Sequence, residues 1–403
     1  MRRLLRVCLL APAAAAAQTA LYTEVTQTHL PRELAGACMA AAAGDVDGDA
    51  DLDLALAMEF QPKVLLVNDG RGVFADASTQ LPRTVHDNEE VAFADFDGDG
   101  DLDLVFVSED DRADELFLNL IQGRYTDASM QLDAGDTTSN ALAVLDLEND
   151  GTPDVLTGNV GTNLVLVNYG DGQFSDETFR RWPQRGESRT QDLELVDVDG
   201  DGDLDVVVGN EGQNQLYLND GRGQLVDATA SRMPVRNDET REIKSADFDG
   251  DGDFDLVVAN VQFMFDWPRQ DHLLLNDGAG RFSDAPQGRL PADDRDNFTI
   301  QAVDVDGDGD VDLISPATRF DGVGDYQVLL NDGSGFFLAA PPGTVLPASA
   351  DGNGFDVVVA DFDGDGTHDL FLCNRANRTR DTQTALATGG RQRLLLGRPA
   401  AGE

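Results

Sequence analysis

The chain has 403 residues, 75 of them Asp or Glu against 29 Lys or Arg, for a formal charge of −46. Such an excess excludes nucleic acid and anionic membrane surfaces as partners, since both are held through Lys and Arg contacts to phosphate. Beyond the N-terminus no apolar run reaches the 18 or so residues of a membrane span, so the mature chain is expected to be soluble and monomeric.

The opening MRRLLRVCLLAPAAAAAQTA sets Arg2 and Arg3 before an apolar stretch and a run of alanines, the pattern of a secretory signal cleaved after Ala17. A disordered Ala-rich leader is the alternative. Residues 18–403 then form one domain, bound for secretion, the periplasm or the cell surface. That compartment permits a bridge between Cys38 and Cys373, which the spacing neither requires nor excludes.

Residues 20–31, ALYTEVTQTHLP, match VFADASTQLP at 73–82, the last strand of the repeat that follows. From Asp45 onward a ladder D-x-D-G-D-x-x-x-D recurs, starting again at Asp95, Asp146, Asp197, Asp247, Asp304 and Asp361, at intervals of 50, 51, 51, 50, 57 and 57 residues. The second repeat is typical. VAFADF (91–96) enters the ladder, DLVFVS (103–108) leaves it, ELFLN (115–119) is a third strand and GRYTDAS (123–129) a fourth. Asn-Asp-Gly turns at 68, 219, 276 and 331 join strands three and four of other repeats, since they supply the φ > 0 positions of a tight hairpin.

Four short strands per fixed period predict an all-β, seven-bladed β-propeller of antiparallel blades, with an open solenoid as the lesser reading. The last repeat has strands at its ladder and RLLLG (393–397) but no fourth. A strand over 22–26 is therefore expected to complete it, removing exposed sheet edges.

The ladders hold 33 of the 75 acidic residues. Carboxylates at alternate positions around glycines offer the oxygen-only coordination that Ca²⁺ takes at six or seven ligands. Position seven lends a backbone carbonyl, and glycines at four and six let the chain fold back. The expected ligands are Asp45, Asp47, Asp49, Asp51 and Asp53; Asp95, Asp97, Asp99, Asp101 and Asp103; Asp146, Glu148, Asp150, Thr152 and Asp154. The series continues with Asp197, Asp199, Asp201, Asp203 and Asp205; Asp247, Asp249, Asp251, Asp253 and Asp255. It ends with Asp304, Asp306, Asp308, Asp310 and Asp312; and Asp361, Asp363, Asp365, Thr367 and Asp369. Up to seven ions follow, the third site weakest because Glu148 and Asn149 break its pattern, while Ala50 replaces a glycine in the first. Such ions serve as structural staples.

The ladders, the LVVAN-type strands (DLVVAN, 255–260) and the hairpin LLLNDGAGRF (273–282) resemble the FG-GAP-like (VCBS) repeats and, more distantly, the propeller of integrin α-subunits. The resemblance spans about residues 20–397 and implies the fold and Ca²⁺ sites. It implies no particular ligand, because such proteins include adhesion, surface and carbohydrate-associated members and some enzymes.

Two places are candidates for a ligand. The connections between strands two and three lengthen at 261–271 and 315–326, carrying Phe263, Phe265, Trp267, Phe320 and Tyr326, with the alternative that these loops simply pack together. Five residues before each ladder stand Ala40, Glu90, Ala141, Asp192, Glu242, Thr299 and Asp356. The four acids, Glu90, Asp192, Glu242 and Asp356, form a ring at a channel mouth, paired with arginines such as Arg241 or facing water. The reading is a secreted binding or adhesion module for a protein or glycan. The alternative is a carbohydrate-active lyase or hydrolase, favoured if arginine, tyrosine or histidine clusters with these acids.

Overall fold

In the computed structural model, residues 20–31, 34–183, 188–292, 294–318, 324–375 and 390–398 are described. The expected signal at 1–17, residues 376–389 and Phe320 lie outside them. No helix among the described residues is long and apolar enough to cross a membrane.

The fold is all-β, and one four-stranded antiparallel unit recurs along the chain. The first unit is Cys38–Gly44, Asp53–Pro62, Val64–Asn68 and Phe74–Asp76. The second is Val85–Ala94, Asp103–Ser108, Glu115–Ile121 and Arg124–Asp127. The third is Ser139–Leu145, Asp154–Gly161, Leu164–Asn168 and Phe174–Asp176. Ser188–Val196, Asp205–Gly212, Gln215–Asn219 and Leu225–Asp227 follow as the fourth. The fifth comprises Asp238–Ala246, Asp255–Asn260, His272–Asn276 and Phe282–Asp284. The sixth comprises Gln301–Val303, Asp312–Ala317, Asp325–Asn331 and Phe337–Ala339.

The last unit takes Gly354–Ala360, Asp369–Asn374 and Arg393–Leu396 from the end of the chain and Thr23–Glu24 from its beginning. Thr23 faces Leu396 and Glu24 faces Leu395 in an antiparallel pair. The strand is shorter than the expected 22–26, because the chain turns into one helical turn at Thr26–His29. Comparable turns follow other fourth strands, at Thr178–Arg181 and Thr229–Arg232.

Each unit buries both faces against its neighbours, which is why second strands such as Asp103–Ser108 and Asp255–Asn260 are buried along their whole length. The apolar clusters sit between consecutive units. Phe96, Val105 and Leu116 of the second pack on Leu142, Val155 and Leu166 of the third. The same packing joins last to first: Phe362, Phe371 and Leu394 meet Leu54, Leu56 and Phe74. Cys38 and Cys373 form a disulfide across that junction, 335 residues apart in sequence.

Asparagines add a second tie. Asn68, Asn119, Asn168, Asn219, Asn276 and Asn331, each at or near the end of a third strand, donate side-chain amide hydrogens to a ladder carbonyl of the preceding unit at 2.8–3.2 Å. For Asn68 the preceding unit is the last one, through the carbonyl of Phe362. The sequence marks four of these residues, Asn68, Asn219, Asn276 and Asn331, as turn formers, and all six join units. The ring of contacts, with the repeat, fits a propeller.

Candidate functional site

The first strand of a unit runs into its ladder, so its early half lies at the opposite end of the array. There the pairing with the second strand skips one residue in six units, between Cys38 and Ala40, Asn88 and Glu90, Ser139 and Ala141, Thr190 and Asp192, Thr240 and Glu242, and Gly354 and Asp356. A β-bulge leaves its extra residue unpaired and re-aims the side chains beside it. The skipped residues, Met39, Glu89, Asn140, Gln191, Arg241 and Phe355, all line one cavity of about 460 Å³, with Phe298 from the equivalent place in the sixth unit. The complete ring therefore stands six residues before each ladder rather than five.

The four acids expected at the mouth line the same cavity. Each spends an oxygen on a backbone N–H at the start of the next unit. Leu142 donates to Glu90 at 2.6 Å, Ile243 to Asp192 at 2.7 Å, Ile300 to Glu242 at 2.8 Å and Ala41 to Asp356 at 2.9 Å. Their charge partner is Lys244, whose ammonium lies 2.6 Å from Glu242, rather than Arg241. Arg241 instead pairs with Glu239 at 3.0 Å and Glu211 at 3.3 Å.

Ten acidic and four basic side chains line this cavity. Burial pushes Asp192 up to about 7 against the pull of Lys244. Burial and the charge of Glu242 bring Asp356 to about 7. Glu90 is held well above the usual carboxylate range by burial and then by Asp192. Burial opposes the Lys244 charge, yet Glu242, Glu194 and Asp192 hold its ammonium well above the usual range.

Sequence reasoning passed over Glu59, Glu109, Glu211 and Arg375, which also line the cavity. All four stand six residues after ladder position nine, a signal that aligning the repeats exposes.

One wall is aromatic. Phe298 lies 4.9 Å from Phe355 and 6.3 Å from Phe263, ring centre to ring centre. Arg241 covers Phe298 at 5.4 Å and Arg375 covers Phe355 at 5.0 Å. Phe263 arrives on the lengthened 261–271 connection, which is anchored from beneath. The fully buried Glu239 carboxylate accepts backbone N–H groups of Phe263, Met264 and Phe265 at 2.8–3.0 Å.

The other aromatics expected at a ligand face stand apart from the cavity lining. Phe265 and Trp267 stack on each other at 4.2 Å. Tyr326 donates its hydroxyl to Asn374 Oδ1 at 2.9 Å and packs in the core between the last two units.

At the far end the ladders share one geometry. Position-one aspartates accept backbone N–H groups from inside their own loop, as Asp95 does from Gly98 at 2.8 Å and Gly100 at 3.0 Å. Position-nine aspartates are buried hubs: Asp103 accepts Phe96 N–H at 2.8 Å and Asn119 N–H at 2.7 Å. Position-seven side chains of most ladders turn toward hairpin glycines, as Asp51 does toward Gly70. Positions four and six are left-handed, so Ala50 at φ 74° and Asn149 at φ 57° stand where glycine costs nothing. For Ala50 the strain is about 1 kcal/mol.

Several of these clusters can hold a metal ion, among them Asp45–Asp47–Asp53, Asp95–Asp97–Asp99, Asp197–Asp199–Asp205 and Asp247–Asp249–Asp251. Asp47, Asp199 and Asp249, all at position three, each keep one buried side-chain oxygen without a protein partner. Oxygen donors left unsatisfied beside two or three other carboxylates fit a hard cation. In the third ladder Glu148 also keeps one buried oxygen without a partner and pairs through the other with Arg181 at 3.0 Å, much as Asp199 pairs with Arg232 at 3.1 Å.

The profile of FG-GAP-like repeats matches residues 45–106, 95–157, 197–258 and 259–315. No curated protein matches the chain. Among solved structures, BBS1N in complex with ARL6DN is 11% identical with a TM-score of 0.57, over 96% of this chain and 99% of that one. The extracellular domain of a putative hybrid two-component system from B. thetaiotaomicron is 11% identical with a TM-score of 0.53, over 95% of this chain and 40% of that one. A structure titled for specific recognition of non-reducing terminal N-acetylglucosamine by an Agrocybe aegerita lectin superposes with a TM-score of 0.47 at 19% identity, over 76% of this chain and 80% of that one.

Proposed function

The chain belongs to the FG-GAP-like repeat family, and from that premise we propose that it is a secreted, seven-bladed propeller stapled by Ca²⁺, which binds a glycan at its central cavity. The observation that carries this reading is the convergence of all the units on that cavity. It joins the Phe263–Phe298–Phe355 wall to a surplus of carboxylates. Phenyl faces suit the apolar faces of a sugar ring, and carboxylates accept hydrogen bonds from its hydroxyls. A recess of a few hundred Å³ takes a small terminal group rather than a flat protein surface. The Cys38–Cys373 disulfide supports an oxidising compartment.

The test is capture on glycan and protein arrays, with and without chelator. Phe298→Ala is expected to weaken capture at least tenfold, the cost of about 1.4 kcal/mol or more at a stacking contact. Trp267→Ala is expected to leave it unchanged. The opposite pattern would move the site to the outer loop.

A second reading, a lyase or hydrolase acting on carbohydrate, is favoured by one observation. Asp192 and Asp356, near 7, share the cavity with Lys244, Arg189 and Arg241. Groups that titrate near neutrality suit acid–base chemistry. Yet each acid of the ring already clasps the next unit. Release of product from a captured glycan would establish this reading over simple binding.

Within the ladders, Asp249→Ala is expected to remove one Ca²⁺ and about 3 kcal/mol of stability, the linkage of one site near 100-fold saturation. Asp150→Ala, in the third ladder, should cost less, because Arg181 already supplies positive charge beside Glu148. Metal content and melting temperature of the two variants would show the ranking to be wrong if their losses were equal.

A further inference from the structure

A second group of carboxylates lies at the other end of the array, outside every ladder. Asp87, Glu109 and Asp110 each offer an oxygen, and these lie within 4.8 Å of one another. All three line the central cavity. Asp87 precedes the bulge of its strand, while Glu109 and Asp110 follow the end of the neighbouring second strand.

The backbone builds this site. Glu109 N–H donates to the Asp87 carbonyl at 3.1 Å, and Asp110 N–H to Asp87 Oδ2 at 3.3 Å, which fixes the carboxylate in the angle of the turn. Asp87 is 2% exposed, and its other oxygen, Oδ1, is buried with no hydrogen-bond partner. A carboxylate oxygen shut away from water among other carboxylates is costly unless a cation meets it.

The protein's own cations are engaged elsewhere. Arg375 pairs with Glu59, Arg189 with Glu211, Arg241 with Glu211 and Glu239, and Lys244 with Glu242. His86 turns to Asp111 at 2.6 Å. Among the described residues, no basic side chain forms an ion pair with Asp87, Glu109 or Asp110.

We propose that Asp87, Glu109 and Asp110 form a further divalent-cation site at the cavity rim, independent of the ladders. Three carboxylates and no nitrogen or sulfur donor select a hard ion of the Ca²⁺ class, and fewer than six protein oxygens leave positions open to water or to a bound hydroxyl.

Metal content after equilibrium dialysis against Ca²⁺ tests the site on the whole chain. The surface pair Glu109→Gln/Asp110→Asn, at one half-buried and one exposed position, is expected to hold one ion fewer than the wild type, and in chelator to melt no lower than the wild type, because two of three like charges are gone. Asp249→Ala should lose one ion together with stability. Asp87→Asn, which keeps the shape of the buried group, should lose the same ion as the surface pair. If the ladders take up no metal, the wild type should still hold one ion and the surface pair none. An equal ion count in wild type and surface pair overturns the site.

Discussion

Removing divalent metal should lower the melting temperature by on the order of 10 °C or more, and Ca²⁺ should restore it better than Mg²⁺. One site near 100-fold saturation contributes about 2.7 kcal/mol, and several ladders act together, so the sum is a large part of a typical folding free energy. Without metal the pH dependence should also change. Burial first, offset in part by backbone hydrogen bonds, pushes the position-nine aspartates up to about 6 at Asp53 and Asp369. It pushes Asp103, Asp154, Asp205, Asp255 and Asp312 to about 7. These groups hold protons more tightly folded than unfolded. The metal-free protein should therefore be more stable near pH 5 than near pH 7.5, losing stability as pH rises from the unfolded value of about 4 through the folded one. Thermal melts in chelator at several pH values measure both effects. A melting temperature indifferent to chelator would remove the metal from the account of this fold.

Deleting residues 18–30 should cause aggregation or a loss of several kcal/mol. The deletion takes away Thr23–Glu24, the partner of Arg393–Leu396, and opens that strand's edge. It also removes Tyr22 and Leu30, 4% and 6% exposed, each contributing about 1.5–3 kcal/mol by burial. Reducing the Cys38–Cys373 disulfide should act differently. It frees a closed loop of 335 residues, up to about 5 kcal/mol by chain entropy, but leaves the edge covered. Destabilisation without aggregation is the expected result, read by light scattering beside thermal melts. A well-folded monomer lacking 18–30 would show that the N-terminal strand is dispensable.

The ladders were legible because their chemistry is local. Nine residues contain the carboxylates, the left-handed turns and the entry to the next strand, and alternation decides which side chains turn inward. The closing strand was legible too, because residues 20–31 repeat a pattern found whole elsewhere, although the helical turn at Thr26–His29 shortened it.

The sequence pattern exposes one ring of the cavity lining, the acids five residues before their ladders, and not the ring beside it. Counting five back from each ladder assumes regular pairing, and regular pairing would send residues five and six to opposite faces. The bulge breaks that alternation and turns both inward, so Glu89, Gln191, Arg241, Phe298 and Phe355 join the acids already expected. Bulges depend on how two strands pair, which no single strand records.

The aromatic wall shows the same limit. The 261–271 insertion advertised Trp267, but Glu239, on a different strand, gathers the loop's N–H groups and sets Phe263 over the cavity while Trp267 stacks on Phe265. Repeat, period, ladder chemistry and the need for a closing strand were determined by the sequence itself, since each follows from spacing along the chain. The cavity ring, the asparagine ties between units, the disulfide and the Asp87–Glu109–Asp110 cluster were decided only in the tertiary structure. They depend on which side chains different strands bring to one point, and that distance is absent from the linear order of residues.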